Sequence, residues 1–432
     1  MEVTLWTTVA TPSVIEKLRS IQTNLPAARG RLSMTGGVLL VGNLFPFALA
    51  LVPALLYPRS TACISDKDCS LNGLCTNGSC VCDPPWGGGK CGVLQFAPAP
   101  VTGAYGEAPN VTSWGGNAVL GDDGSWHGYF TEISGAGCGL AQWKAQSTVV
   151  HAVASGPEGP YSRRGVVLSH EAHNPHVLRV PPTAGNNSSW YIFHIGSADA
   201  ASNASACPGP VPPSGRVVTK HAVHVSRTGP AGPFAPLAID GAFEGCNNPA
   251  PLLHPNGTTF LGCTWSLRRA PRPEGPWSKA WSIAPKNAHG RTWLGRSWED
   301  PYIWVDARGH WHLLAHTYTD DVFPKLSYAG HGFSVDGHAW HFGKEEPYGG
   351  GIARADGTVK HYATLERPKL LFADPAHPLR PTHLLNGASP VWDASNNASS
   401  PCGACRTAGQ CVGCKVSPGM DWTYTVVRPL VK

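Results

Sequence analysis

One unit recurs through the chain from about Leu94 onward, and it restricts the fold more than any other feature. A polar residue and a proline introduce an apolar run, a Gly or Asn turn follows, and an aromatic-rich run comes next. Asn174-Pro175 leads to WYIFHIG, Asn248-Pro249 to TTFLGCTW, and Asp300-Pro301 to HWHLLAHT. Glu366-Arg367-Pro368 leads to PTHLLNG, and a degenerate first copy is Trp114-Gly115-Gly116-Asn117 with the hairpin DDGSWHGYF. A second motif falls between the copies: Gly159-Pro160-Tyr161, Gly232-Pro233-Phe234 and Gly275-Pro276-Trp277, with Asp336-Gly337 and Trp340 playing a comparable part in the fourth. Each unit reads as two β-hairpins, hence four strands.

Composition agrees with an all-β chain. Fifty glycines and forty prolines among 432 residues punctuate strands and break helices. The five units are expected to form a five-bladed β-propeller over residues 94–432, because radial repetition leaves only short, protected sheet edges. A pair of β-sandwiches is the other all-β reading. Asp421 to Val427 would supply the closing strand. The formal charge of +5 contains no Lys/Arg run dense enough for nucleic acid.

Six of the fourteen cysteines, Cys63, Cys69, Cys75, Cys80, Cys82 and Cys91, are separated by 5, 5, 4, 1 and 8 residues. About 30 residues cannot bury enough apolar surface to fold alone, so covalent staples are needed. Six cysteines allow 15 pairings, and a cysteine-rich zinc module is the bland alternative. The order C-x5-C-x5-C-x4-C-x-C-x8-C resembles the EGF-like family, with Gly73, Gly78 and the Trp86-Gly87-Gly88-Gly89 turn where that family places turns. The resemblance implies Cys63–Cys75, Cys69–Cys80 and Cys82–Cys91 in a module over residues 62–92. Set between the membrane and a far larger domain, the module reads as a stapled spacer or small interaction site.

Residues 36–57, GGVLLVGNLFPFALALVPALLY, carry no charge and are long enough for a bilayer span. Lys17, Arg19, Arg29 and Arg31 precede them and place residues 1–35 in the cytoplasm. The expectation is a single-pass type II protein with its large domain lumenal (Golgi or ER) or extracellular. Pro46, Pro53 and Asn43 weaken the helix, and a secreted protein with a cleaved leader is the alternative. Sequons at Asn77, Asn110, Asn186, Asn187, Asn203, Asn256 and Asn397 agree with that compartment. Cys402, Cys405, Cys411 and Cys414 sit too close together for a usual zinc site and read as two disulfides. Cys246 with Cys263, and Cys138 with Cys207, are further candidate bridges.

The D-P pairs, aromatic hairpins and Gly-Pro-aromatic turns resemble the five-bladed glycosidases of families 43, 32 and 68. The resemblance implies a glycan substrate and glycosidic cleavage by axial acidic residues, one acting as acid and another as base or nucleophile. Such work needs two carboxyl groups in different environments. Trp298-Glu299-Asp300-Pro301 and Glu366-Arg367-Pro368 keep the acidic pattern, so Asp300, Glu299 and Glu366 are the catalytic candidates, with Glu171 a weaker one. Asn174 and Asn248 stand where the family would have Asp, and an amide cannot shuttle a proton. A non-catalytic glycan-binding or adhesion protein is therefore the rival reading.

His173, Asn174, Asn247, Asn248, His331 and His383 are expected to line the axial funnel. Trp114, Trp265, Trp298 and Trp304 offer aromatic faces for a sugar ring. No cofactor is called for, although the resemblance admits a central metal ion held by histidine. His310, His312 and His316 alternate along one strand and are expected to scatter over two faces.

Overall fold

The computed structural model describes residues 62–108, 111–133, 140, 143–182, 187–198, 221–239, 246, 248–283, 296–318, 327–362, 364–389 and 423–432. The apolar segment 36–57, the four C-terminal cysteines, Cys138, Cys207, Asn247 and the sequons at 110, 186, 203 and 397 lie outside them. Among the described residues, no helix is long and apolar enough to cross a membrane.

The chain is an all-β five-bladed propeller with a disulfide-rich module at its N-terminal side. Blades one to four are four-stranded antiparallel meanders, and blade five has three strands. The inner strands are Ser113–Leu120, His173–Val180, Ala250–Leu253, Ser297–Val305 and Thr364–Leu371. Each touches the next around the ring, and the fifth returns to the first. Both faces of these strands are covered by neighbouring blades, so apolar residues run nearly continuously along them. Ile303, Trp304 and Val305, for example, are buried in succession.

The hairpins turn where Asp or Asn precedes Gly. Asp123 Oδ1 accepts from Ser125 N at 3.0 Å, and Asp306 Oδ1 accepts from Arg308 N at 2.9 Å and His310 N at 2.8 Å. A carboxylate that satisfies the turn's own N–H groups holds the hairpin closed. Two of these aspartates also begin buried relays. Asp123 faces His127 Nε2 at 3.1 Å, and His127 Nδ1 meets His151 Nε2 at 2.9 Å. In blade four Asp306 faces His312 Nε2 at 3.4 Å, and His312 Nδ1 meets His331 Nε2 at 3.1 Å.

The ring closes with strand from both ends of the described chain. Tyr424–Pro429 pairs with His383–Ser389 as the third strand of blade five. Bridges Phe96–Leu430 and Tyr105–Thr425 then lay residues 96–105 on its outer edge. The expected closing strand is present, running Tyr424–Pro429 where Asp421 to Val427 was expected.

The module forms the three implied disulfides, and Cys246–Cys263 also forms. A spacer would stand clear of the propeller, and this module does not. Trp86 is buried, stacking on Trp304 at 6.4 Å and on His331 at 4.8 Å. Cys69, Cys91 and Leu94 share one apolar cluster with Tyr302, Leu314 and Leu384. Polar ties flank this contact. Gly89 N and Gly92 N donate to the two oxygens of Glu345 at 3.1 and 2.9 Å, and Arg308 Nη2 donates to Leu71 O and Asp83 Oδ2, each at 2.6 Å.

Candidate active site

Five equivalent residues meet at the axis, one from each inner strand: Gly115, Asn174, Asn248, Asp300 and Arg367. All have left-handed backbone, with φ of 68°, 51°, 52°, 55° and 55°. The next residue is Pro in four cases and Gly116 in the first. Register slips here in four blades: between Ser113 and Gly116, opposite Phe193 and Ile195, between Glu299 and Tyr302, and between Glu366 and Lys369. Such bulges re-aim one side chain and terminate pairing. Asn and Asp tolerate this conformation, whereas for Arg367 it is strained.

These side chains bond to one another. Asn174 Nδ2 donates to Asn248 Oδ1 at 2.8 Å and to Asp300 Oδ1 at 3.3 Å. Arg367 Nη1 donates to Asp300 Oδ1 at 2.9 Å and to Asn248 Oδ1 at 3.4 Å. Asp300 is 0 % exposed; burial raises its pKa, and the Arg367 guanidinium pulls the other way. Arg367 fits because Gly115 has no side chain: a Cβ there would lie 3.1 Å from Arg367 Cβ.

Just above this tier stand Glu299 and Glu366, one residue before Asp300 and Arg367. His316, from the second strand of blade four (Trp311–Tyr318), lies between them. Its Nδ1 is 3.7 Å from Glu299 Oε1 and its Nε2 is 3.8 Å from Glu366 Oε1. One ligand-type atom from each of Glu299, Asp300, His316 and Glu366 lies within 4.8 Å of the others. Burial pushes the His316 pKa down, but Glu366, Glu299 and Asp300 outweigh it and lift it to about 9. The imidazole is therefore a cation at neutral pH. Burial raises Glu366, which His316 opposes and Asp300 and Glu299 reinforce. The two glutamates differ in access, their side chains being 33 % and 19 % exposed.

A second tier lies beneath. Lys369, His176 and Tyr302 occupy the next inward positions, with His176 stacked on Tyr302 at 5.5 Å and Lys369 Nζ 6.0 Å from the same ring. Burial lowers the Lys369 pKa to about 8, against the pull of Asp300.

Asp300 Oδ2 has no hydrogen-bond partner among the described residues. Glu299, Glu366 and a neutral His316 would complete an oxygen-rich donor set around it, which suits a hard divalent cation. Such an ion would supply the positive charge that protonated His316 otherwise provides.

The structure thus brings Glu299, Asp300, Glu366, Asn174 and Asn248 together. His173 is adjacent, buried, with Nδ1 2.7 Å from Ser147 Oγ, and it feels the charge of Arg367. Trp114 is buried and lies against Gly387, the register partner of Glu366. Trp298 is 1 % exposed and packs edge-on against half-buried Trp265, so the Trp298 ring offers no face to a ligand at the axis. Trp304 is covered by Trp86. His331 lies on the third strand of blade four (Ser327–Ser334), in the contact with the module, and not in the funnel. His383 pairs with Leu371, at the opposite end of its strand from Glu366, and faces Glu158 at 3.4 Å. Exposed Glu171 accepts from Ser197 Oγ at 3.1 Å, outside the carboxylate cluster. His310 and His312 turn to Asp306, and of the three only His316 reaches the axis. His316 and Lys369 carry no acid or motif signature, and Gly115 and Arg367, although inside the recurring motif, are not legible from sequence as the slot and the cation that meet Asp300.

No protein-family model matches the sequence, and a search of curated proteins gives no match. Solved structures of similar fold include a family 117 glycoside hydrolase of the marine bacterium Zobellia galactanivorans. It is 12 % identical, covers 78 % of this chain and 89 % of its own, and has a TM-score of 0.43. A family 43 β-xylosidase/α-arabinofuranosidase from a compost microbial metagenome is 12 % identical over 78 % and 95 % of the two chains, with a TM-score of 0.46. An endo-arabinase from Bacteroides thetaiotaomicron is 12 % identical over 78 % and 98 %, with a TM-score of 0.44.

Proposed function

We propose that this chain is a glycoside hydrolase-like protein, anchored through residues 36–57 with its propeller lumenal or extracellular, and acting on a glycan through Glu366 and Glu299. One observation carries this reading: two carboxylates in unlike surroundings flank a single cationic imidazole at the axis. Glu366, the less exposed and with its pKa raised, serves as general acid toward the leaving oxygen. Glu299, more exposed, serves as nucleophile or base. Their nearest oxygens fall within 4.8 Å, which suits the spacing of about 5–5.5 Å of retaining enzymes better than the about 6.5–9.5 Å of inverting ones. Asp300, neutralised by Arg367, sets the field of the site without exchanging protons.

A second reading has its own support. The amides of Asn174 and Asn248 and the Asp300–Arg367 pair make the axial tier a neutral, cross-bonded plug, which suits a glycan-binding protein without turnover. Hydrolysis of a panel of nitrophenyl pentosides and hexosides by the full chain and by Glu366→Gln, beside a glycan array, separates the two. Turnover that Glu366→Gln abolishes supports the enzyme. Array binding without wild-type turnover supports the binding protein.

A further inference from the structure

Arg428 lies in the third strand of blade five and is almost fully buried, yet no carboxylate among the described residues forms an ion pair with it. Its guanidinium sits 4.3 Å from the Phe96 ring and 4.9 Å from the Tyr348 ring. Nη1 donates weakly to Gly349 O at 3.4 Å, and Nη2 donates to Asn386 Oδ1 at 2.9 Å. A cation buried on neutral acceptors is costly, so its effect on those acceptors is worth tracing.

Arg has only donors. Asn386, itself 0 % exposed, must therefore turn its carbonyl oxygen to Arg428 and its NH2 the other way. That NH2 reaches two oxygens: the Glu366 carbonyl at 3.2 Å and the Tyr348 hydroxyl at 3.2 Å. The flipped amide would set N–H against the guanidinium and oxygen against the Glu366 carbonyl, two repulsions at once. Tyr348 Oη is thus an acceptor toward Asn386, and its own proton must go elsewhere. No acceptor for that proton is found among the described residues. The charges that act on the phenol, after Arg428, are the carboxylates of Asp300 and Glu366. Burial holds the phenol protonated far above neutral pH.

We infer that Tyr348 is a committed hydrogen-bond donor to an oxygen of the glycan bound at the Glu299–Glu366 centre, with Asn386 and Arg428 as the positioning residues that set its polarity. The glycan oxygen must accept a hydrogen bond, so a ring, glycosidic or hydroxyl oxygen serves, whereas the ammonium group of an amino sugar, a donor only, cannot. The inference rests on the proposed function for the identity of the ligand, but the donor assignment does not.

Two measurements on the full chain test it. Neutron diffraction from crystals of the chain locates the deuteron on Tyr348 Oη. A deuteron turned toward the carboxylates supports the assignment, and one shared with Asn386 overturns it, whether or not any glycoside is cleaved. Kinetics on the nitrophenyl glycoside that the wild type hydrolyses then test the substrate contact. Tyr348→Phe should raise KM about tenfold, the worth of one good hydrogen bond, with Tm nearly unchanged. Asn386→Asp, an acceptor that draws the phenolic proton back, should reproduce that rise. Unchanged KM in Tyr348→Phe would overturn the contact. Absence of wild-type turnover rejects the proposed hydrolysis and leaves the donor assignment to the neutron result.

Discussion

Arg367 occupies the space that Gly115 leaves open, its Cβ and Cδ lying 3.1 and 3.2 Å from where a Gly115 Cβ would be. The first and fifth blades thus share one slot at the axis, and the cation in it neutralises Asp300. Gly115→Ala would suffer twice, from this contact and from its left-handed φ of 68°. We expect a loss of about 1–2 kcal/mol from the backbone alone, read as a lowered Tm. Wild-type stability in Gly115→Ala would show that Arg367 does not depend on the slot.

Arg367→Met leaves buried Asp300 without the cation that is hydrogen-bonded to it. Breaking a buried pair in this way costs about 3–5 kcal/mol. The sign with pH follows from the carboxyl group. Its folded pKa stands above the unfolded value of about 3.9, so the folded state holds the proton more tightly. The penalty is small below that value and grows as pH rises. Thermal unfolding at pH 4 and pH 7 should give the larger Tm deficit at pH 7, and Asp300→Asn in the same chain should relieve it. Equal deficits at both pH values would contradict the pairing.

Protonated His316 stabilises the fold by the opposite sign. With a folded pKa of about 9 against about 6.5 unfolded, its contribution is complete below about 6.5 and lost as pH rises through 9. His316→Gln should flatten the alkaline limb of stability between pH 7 and pH 9.5. His151 behaves inversely: burial first, then His127, lowers it to about 4. That contribution is present above about 6.5 and lost as pH falls toward 4, so a His151→Gln chain should lose less stability on acidification than wild type. Chemical denaturation across both ranges checks the two limbs together.

Trp86→Ala removes a buried ring from between the module and Trp304. Large aromatic-to-alanine changes in a core cost about 3–5 kcal/mol, and the loss should appear in the propeller's own unfolding. One cooperative transition is expected for the wild type. Two separate transitions, with the propeller's unmoved by the substitution, would make the module an independent unit after all.

Much of this was readable before any coordinates. Asn174, Asn248 and Asp300 announce themselves by recurring before Pro, and the module by its cysteine spacing, because turn chemistry and staples are local. Arg367 was legible as a residue but not as the partner of Asp300: the two are joined only when the ring closes, 67 residues apart. His316 looked like any alternating strand histidine, since a second-strand residue reaches the axis only through the blade's tilt. His331 and Trp298 were placed at the funnel for the reverse reason. Trp298 adjoins axial Glu299 but packs against Trp265, and His331, on the third strand of its blade, packs against Trp86 of the module.

The seam in blade five has a consequence for biosynthesis. Residues 96–105 leave the ribosome long before their edge partner, Tyr424 to Leu430. Four blades can be assembled first, but the outer seam of blade five cannot close until Tyr424 to Leu430 have emerged. Throughout that interval the nascent chain carries an unpaired strand edge, the condition under which a chaperone would be needed most.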